Sequence, residues 1–280
     1  IYLSPVRYPT DKAYGVTIRY TMASLENLGF QRPTDIQFKA IPCILRGEDV
    51  LAVAQTGTGK TAAFLLPVIQ NIIASREASK TRALVIVPTR ELAQQIDQQM
   101  EGFSYFTPVS SMAVYGGGDG TIFAQEKKAL SEGTEVVICT PGRMIAHLNN
   151  NYVKFDGLKY LILDEADRML DMGFQDELMK IISFLAPERQ NLLFSATMPH
   201  KMRELARKLL NEPVEINIAV SKPPEQIVQK AFVVFENQKA PLIKYLLKLK
   251  DYTRVIIFCS KKQNVKQLAA ELKRARFKVE

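Results

Sequence analysis

Histidine and cysteine are scarce in this 280-residue chain. There are two histidines, His147 and His200, and three cysteines, Cys43, Cys139 and Cys259, spaced far apart with no CxxC pair. That distribution excludes the recurring zinc spacings and a disulfide framework. Cys139 and Cys259 each sit in an apolar, strand-like run and read as buried, reduced thiols. Reduced thiols fit a reducing compartment, so a cytoplasmic location is expected. No apolar run reaches the roughly 18 residues a membrane-spanning helix needs, so no membrane partner is expected. Residues 1–20 hold Arg7, Asp11, Lys12 and Arg19 without an apolar centre and do not read as a signal peptide. Internal repeats and low-complexity stretches are also missing. The net charge is +8 and uneven: residues 221–280 hold 14 Lys and Arg against 5 Asp and Glu, a net of +9, and residues 1–220 hold 23 against 24, a net of −1. A basic C-terminal part suggests a polyanionic partner. The alternative is a solvated helix face, because Lys261, Lys262, Lys266, Lys273, Arg274, Arg276 and Lys278 share one helical stretch.

What is present is a series of short, β-branched, nearly continuous apolar runs: Val50–Ala54, Ala83–Val87, Met112–Tyr115, Val136–Cys139, Tyr160–Leu163 and Asn191–Phe194. Such runs suit parallel strands covered on both faces. Helix-like segments lie between them, at 62–74, 90–103 (opened by Thr89 as an N-cap), 175–185 and 201–210. Alternation of this kind predicts an α/β fold with an open parallel sheet. Pro213, Pro223 and Pro224 mark a linker. Beyond it, Ile227–Phe235 and Arg254–Ser260 read as strands, with helices at 241–249 and towards Arg276, the start of a second α/β domain.

The chemistry-bearing residues fall at strand ends, where open α/β sheets bind ligands. Ala54-Gln55-Thr56-Gly57-Thr58-Gly59-Lys60-Thr61 follows the first run. Its glycines let backbone N–H groups turn around phosphate oxygens at a helix N-terminus. Lys60 suits the β- and γ-phosphates of a nucleotide and Thr61 a Mg²⁺ ion. Asp164-Glu165-Ala166-Asp167 follows Tyr160–Leu163. Carboxylates directly after an apolar strand need a partner, and a metal ion provides one. Asp164 is the candidate Mg²⁺ ligand and Glu165 the candidate base for an attacking water. For Asp167 the alternative is an acid that simply favours a helix N-terminus.

These motifs, in this order, resemble the DEAD-box ATP-dependent RNA helicases of superfamily two. Gly29–Gln37 is similar to the family's adenine-reading Q motif, and Ala54–Thr61 to its form of the P-loop. Pro88-Thr89-Arg90-Glu91-Leu92-Ala93, Gly116-Gly117 and Thr140-Pro141-Gly142-Arg143 resemble its RNA-contacting motifs. Asp164–Asp167 resembles its signature, Ser195-Ala196-Thr197 its coupling motif, and Val255–Phe258 a strand motif of its second domain. The resemblance implies a RecA-like P-loop NTPase fold with helices on both faces of the sheet. It implies an extension at 1–24, a first RecA-like domain at 25–212, a linker at 213–225 and a partial second RecA-like domain at 226–280. ATP and Mg²⁺ are the implied cofactors, and RNA, held by its sugar-phosphate backbone without sequence preference, the implied partner of a monomer.

Residue by residue, the resemblance assigns catalysis to Lys60, Asp164 and Glu165. Nucleotide binding falls to Phe30, Arg32, Thr34, Gln37, Gln55, Thr56, Gly57, Thr58, Gly59, Lys60 and Thr61, and the metal to Thr61 and Asp164. Gln37 would pair with the adenine edge, since an amide offers donor and acceptor together. Phe30 suits core packing equally well. RNA contacts go to Pro88, Thr89, Arg90, Gly116, Gly117, Thr140, Pro141, Gly142 and Arg143, and domain coupling to Asp167, Ser195 and Thr197. Arg90 could instead pair with an acid on its own helix. Two departures stand out. The aromatic that the family carries upstream of the Q motif has no counterpart near Ala13, where only Tyr14 is close. No segment after Ser260 resembles the last two family motifs, one of which supplies an arginine finger. Residues 1–280 are therefore expected to bind nucleotide and to hydrolyse it weakly. An ATP-gated RNA clamp would carry identical motifs. A DNA-directed ATPase of the same superfamily is disfavoured by the Gln37 motif and the DEAD spelling.

Overall fold

The structure, a computed structural model, describes residues 24–75, 80–118, 120–218, 228, 230–249 and 252–279. Two compact units divide between Val220 and Ser221. In the first, seven strands alternate with helices: α1 (Asp35–Leu45), β1 (Val50–Val53), α2 (Lys60–Ser75), β2 (Ala83–Ile86), α3 (Arg90–Ser104), β3 (Ser111–Val114), α4 (Gly120–Glu132), β4 (Val136–Cys139), α5 (Pro141–Leu148), β5 (Tyr160–Leu163), α6 (Ala166–Asp171), α7 (Gln175–Ser183), β6 (Gln190–Ser195), α8 (His200–Leu209) and β7 (Val214–Asn217). All strands pair in parallel, in the order β3-β4-β2-β5-β6-β1-β7.

The near-continuous apolar runs follow from a sheet buried on both faces. In β2, Ala83 and Val85 face one core, with Ile36, Phe64, Ile96 and Phe103 from α1, α2 and α3. Leu84 and Ile86 face the other, with Met144, Met169, Leu178 and Met202 from α5 to α8. The same alternation holds in β4, β5 and β6, whose residues are divided between the same two cores. Each large side chain removed from water this way contributes about 1.5–3 kcal/mol. Thr89 caps α3, as its position before the periodic segment predicts: its hydroxyl accepts from Leu92 N–H at 3.2 Å.

Several expectations need correction. Val214–Asn217, inside the segment read as linker, is β7, an edge strand hydrogen-bonded to β1. Its single buried apolar residue, Ile216, is too short a signal to read beside Pro213. In the second unit α9 (Glu236–Leu249) and α10 (Lys262–Arg274) form, with α9 beginning five residues before Pro241. The strands expected at 227–235 and 254–260 are not formed among the described residues. A strand needs a neighbour for its backbone groups, and Val255, Ile256 and Phe258 are instead exposed. Cys139 is fully buried and its thiol is pushed up in pKa by burial, whereas Cys259 is half-buried rather than enclosed. Residues 1–23, including Tyr14, lie outside the described residues.

Candidate functional site

Parallel strands put every carboxyl end on one edge of the sheet, and the strand order sorts that edge into two halves. β5, β6 and β1 are neighbours. They bring Asp164–Asp167, Ser195–Thr197 and Ala54–Thr61 together. β3, β4 and β2 are the other neighbours, and they gather Gly116-Gly117, Thr140–Arg143 and Pro88–Arg90.

In the first half the loop after β1 is anchored by Ala54 N–H on Ser195 O at 2.9 Å. Gly57 and Gly59 have φ of 84° and 91°, a region that side chains make costly. The Thr58 hydroxyl donates to Gln55 O at 2.8 Å. Lys60 opens α2 with its side chain buried, and its ammonium donates to Ala54 O at 3.0 Å. Lys60, Thr61, Asp164, Glu165, Phe30 and Gln37 all line one cleft, of about 630 Å³. α3 contributes a polar wall that sequence reasoning missed, Gln95, Gln98 and Gln99. Their spacing of three and four residues on one helical face was the available signal.

Asp164 is 3% exposed. Burial pushes its carboxyl up to about 6, against the opposing pull of the Lys60 charge and the Glu165 backbone N–H. That N–H donates to Asp164 Oδ1 at 2.9 Å. Glu165 holds φ 51°, ψ 44°, left-handed backbone that costs a non-glycine residue about 1–3 kcal/mol and clusters at functional sites. Asp167 is engaged differently. Its Oδ2 accepts from Thr197 N–H at 2.9 Å and Thr197 Oγ at 2.6 Å, while Ser195 Oγ donates to Thr197 O at 2.7 Å. Burial alone would raise its pKa, but the hydrogen bonds from Thr197 and the neighbouring backbone N–H groups outweigh it and hold the carboxyl below the usual range.

The Q-motif residues divide. Phe30 lines the cleft and also packs edge-on against Phe103, ring centres 5.6 Å apart, so both readings of it apply. Arg32 is exposed on the loop ahead of α1, away from the cleft wall. Gln37 lines the cleft and also holds backbone. Its Oε1 accepts from Thr34 N–H at 3.0 Å and its Nε2 donates to Gly59 O at 3.2 Å. Both ends of the amide therefore hold backbone, and a Cβ on Gly59 would meet Gln37 Nε2 at 2.5 Å. The residue expected to read a base thus also ties α1 to the loop after β1.

In the second half Arg90 is exposed and lies against Gly117, where an added Cβ would collide with its guanidinium. Gly117 has φ 98°. Gly116 and Thr140 are half-buried, and Gly142 is exposed at the start of α5. Pro88 and Pro141 are buried and shape the turns. The acid pairing considered for Arg90 is found at Arg143: Nε and Nη2 each lie 2.7 Å from Glu126 Oε2. Sequence reasoning missed Glu126, whose position on a polar helix gives no sign of burial.

The family model of the DEAD/DEAH box helicases matches residues 34–205. The chain belongs to the DEAD/DEAH box helicase family. Among its relatives are the human "Probable ATP-dependent RNA helicase DDX46", 38% identical over 262 residues, covering 91% of this chain and 25% of that protein. The Listeria monocytogenes "ATP-dependent RNA helicase CshA" is 39% identical over 250 residues, 89% of this chain and 47% of that protein. The Helicobacter pylori "DEAD-box ATP-dependent RNA helicase RhpA" is 41% identical over 248 residues, 88% of this chain and 49% of that protein. The chain thus spans about a quarter to a half of the length of these relatives. Within the DEAD/DEAH box helicase fold, the strand order places these two groups of residues side by side on one sheet edge.

Proposed function

We propose that this DEAD-box chain binds Mg²⁺–ATP in the cleft at β1 and β5, and RNA on the adjoining ends of β2, β3 and β4. In the whole protein it would couple ATP hydrolysis to local opening of RNA duplexes. The observation that carries this reading is the division of one sheet edge into two neighbouring sets of residues, one suited to phosphate and one to a sugar-phosphate strand. The residues fit the ligands. Lys60 keeps a buried charge whose only hydrogen bond among the described residues is to Ala54 O, leaving donors for phosphate. Among the described residues no three acids, histidines or cysteines converge on a metal. Mg²⁺ binds through one or two carboxylates and the phosphates of its nucleotide, and Asp164 in the cleft wall supplies a carboxylate. Thr61 and Asp164 would hold it, and the ion would neutralise charge on the phosphates. Glu165 would orient the attacking water, and Asp167 with Thr197 would report the nucleotide's state to the coupling segment.

RNA contact by Thr89, Arg90, Gly116, Gly117, Thr140 and Gly142 would go to phosphate and sugar, which position a strand without reading its sequence. The 2′-hydroxyls would favour RNA over DNA. The names of the relatives support the RNA helicase reading over a DNA-directed one. The test is steady-state phosphate release with and without RNA by a chain extended beyond Glu280. Glu165→Gln should leave Mg²⁺–ADP affinity nearly unchanged and slow turnover at least about a hundredfold, the scale of general base catalysis. Equal loss of affinity and turnover would remove the role assigned to Glu165. Turnover indifferent to RNA, or equally raised by DNA, would contradict the RNA-directed activity.

A further inference from the structure

Glu126 is 2% exposed, yet it sits on α4, a helix with no motif of its own. One of its oxygens, Oε1, accepts from the backbone N–H of Tyr115, directly before Gly116-Gly117, at 3.2 Å. The other, Oε2, meets Arg143 Nε at 2.7 Å and His147 Nε2 at 2.9 Å. Arg143 and His147 are on α5, whose first turn carries Thr140–Arg143. α4 grips α5 further through Phe123, which stacks on His147 with ring centres 4.3 Å apart and an interplanar angle of 10°, and lies 4.6 Å from the Arg143 guanidinium. His147 is fully buried, with its other nitrogen hydrogen-bonded to the Tyr152 hydroxyl. Arg90 packs on Gly117, so the end of β2 touches the same assembly.

We propose that Glu126 is a positioning residue that fixes the Gly116-Gly117 loop and the N-terminus of α5 to each other, so that an RNA strand meets one preset surface. The proposal rests on the reading of those two segments as RNA-contacting. The physical basis is that a buried carboxylate must satisfy its lone pairs. Here its two oxygens draw on two different strand ends, so neither segment can shift without breaking a charge-assisted hydrogen bond. The alternative is a carboxylate that merely completes the core. It would then affect fold and both ligands alike.

The experiment uses the 280-residue chain and three readouts: amide hydrogen exchange, affinity for fluorescently labelled single-stranded oligouridylate, and affinity for Mg²⁺–ADP. In Glu126→Ala, which removes both acceptor oxygens, exchange should quicken in Tyr115–Gly117 and in Thr140–Arg143 together. RNA affinity should fall at least about tenfold, the size of one lost charge-assisted hydrogen bond, with ADP affinity unchanged. Arg143→Met, which leaves Tyr115 on Glu126, should keep Tyr115–Gly117 protected. If Glu126→Ala fails to fold, the pair Glu126→Ala and Arg143→Met removes the stranded cation as well, and should still lose the protection at Tyr115. Faster exchange in one segment only, or in neither, would overturn the proposal. So would ADP and RNA affinities falling in parallel. Thr140→Ala separates the underlying reading: if it weakens RNA binding and Glu126→Ala does not, the positioning role is wrong. If Thr140→Ala leaves RNA affinity unchanged while exchange quickens in both segments as expected, the two strand ends are coupled but the RNA surface is misassigned.

Discussion

At the scale of single residues, the DEAD-box site is built from groups whose surroundings differ more than their chemistry. Asp164 and Asp167 stand three positions apart. Burial lifts Asp164 to about 6, while hydroxyl and backbone donors hold Asp167 low. The second shift has a sign that can be tested. A carboxyl with a folded pKa below its usual 3.8 adds stability that is present above that value and lost as pH falls through the lower, folded one. Asp167→Asn should therefore flatten the acid limb of a stability–pH curve below about pH 4. Thermal melting from pH 2 to pH 7 would show it, and an unchanged acid limb would contradict the assignment. Gln37 carries a second prediction. Because its amide holds Thr34 and Gly59, Gln37→Ala should loosen the phosphate loop and lower ADP and GDP affinity alike. Calorimetry showing a loss for ADP only would restore base reading as its main task.

At the scale of elements, most of the sheet was legible because parallel strands covered on both faces must be apolar throughout, and six runs of that kind stand out. The phosphate loop and the Asp164–Asp167 cluster were legible because polar and glycine residues interrupt apolar strands there. Three features were not. β7 is four residues with one buried side chain. Glu126 looks like any charge on a solvated helix, and only the fold turns it towards Arg143. The strands read at 227–235 and 254–260 required neighbours that residue patterns cannot supply. The N-cap of α3 was readable, and it is testable. Thr89 caps α3 and also stands at the end of β2 among the candidate RNA contacts. Thr89→Ala should cost about 1 kcal/mol of stability, the usual worth of such a cap. Urea unfolding measures this, and a change below a few tenths would mean the cap is dispensable.

At the scale of the whole molecule, every residue lining the cleft lies in the first unit, and we propose that this unit binds nucleotide by itself. Hydrolysis driven by RNA is expected to need more. No segment of the 280 residues resembles the family's arginine-finger motif, and such a residue changes turnover in related NTPases by about 10³–10⁵. A chain carried beyond Glu280 through that motif should show RNA stimulation at least about tenfold greater than residues 1–280, a modest demand beside that range. Phosphate release at saturating RNA compares the two. Lys60 and Asp164 are the proposed centre of the Mg²⁺–nucleotide site. Titration calorimetry of ADP into residues 1–280, with and without Mg²⁺, tests it most directly. Binding should be strengthened by Mg²⁺, abolished by Lys60→Ala and made indifferent to Mg²⁺ by Asp164→Asn. ADP binding that survives Lys60→Ala with its Mg²⁺ dependence intact would contradict that assignment.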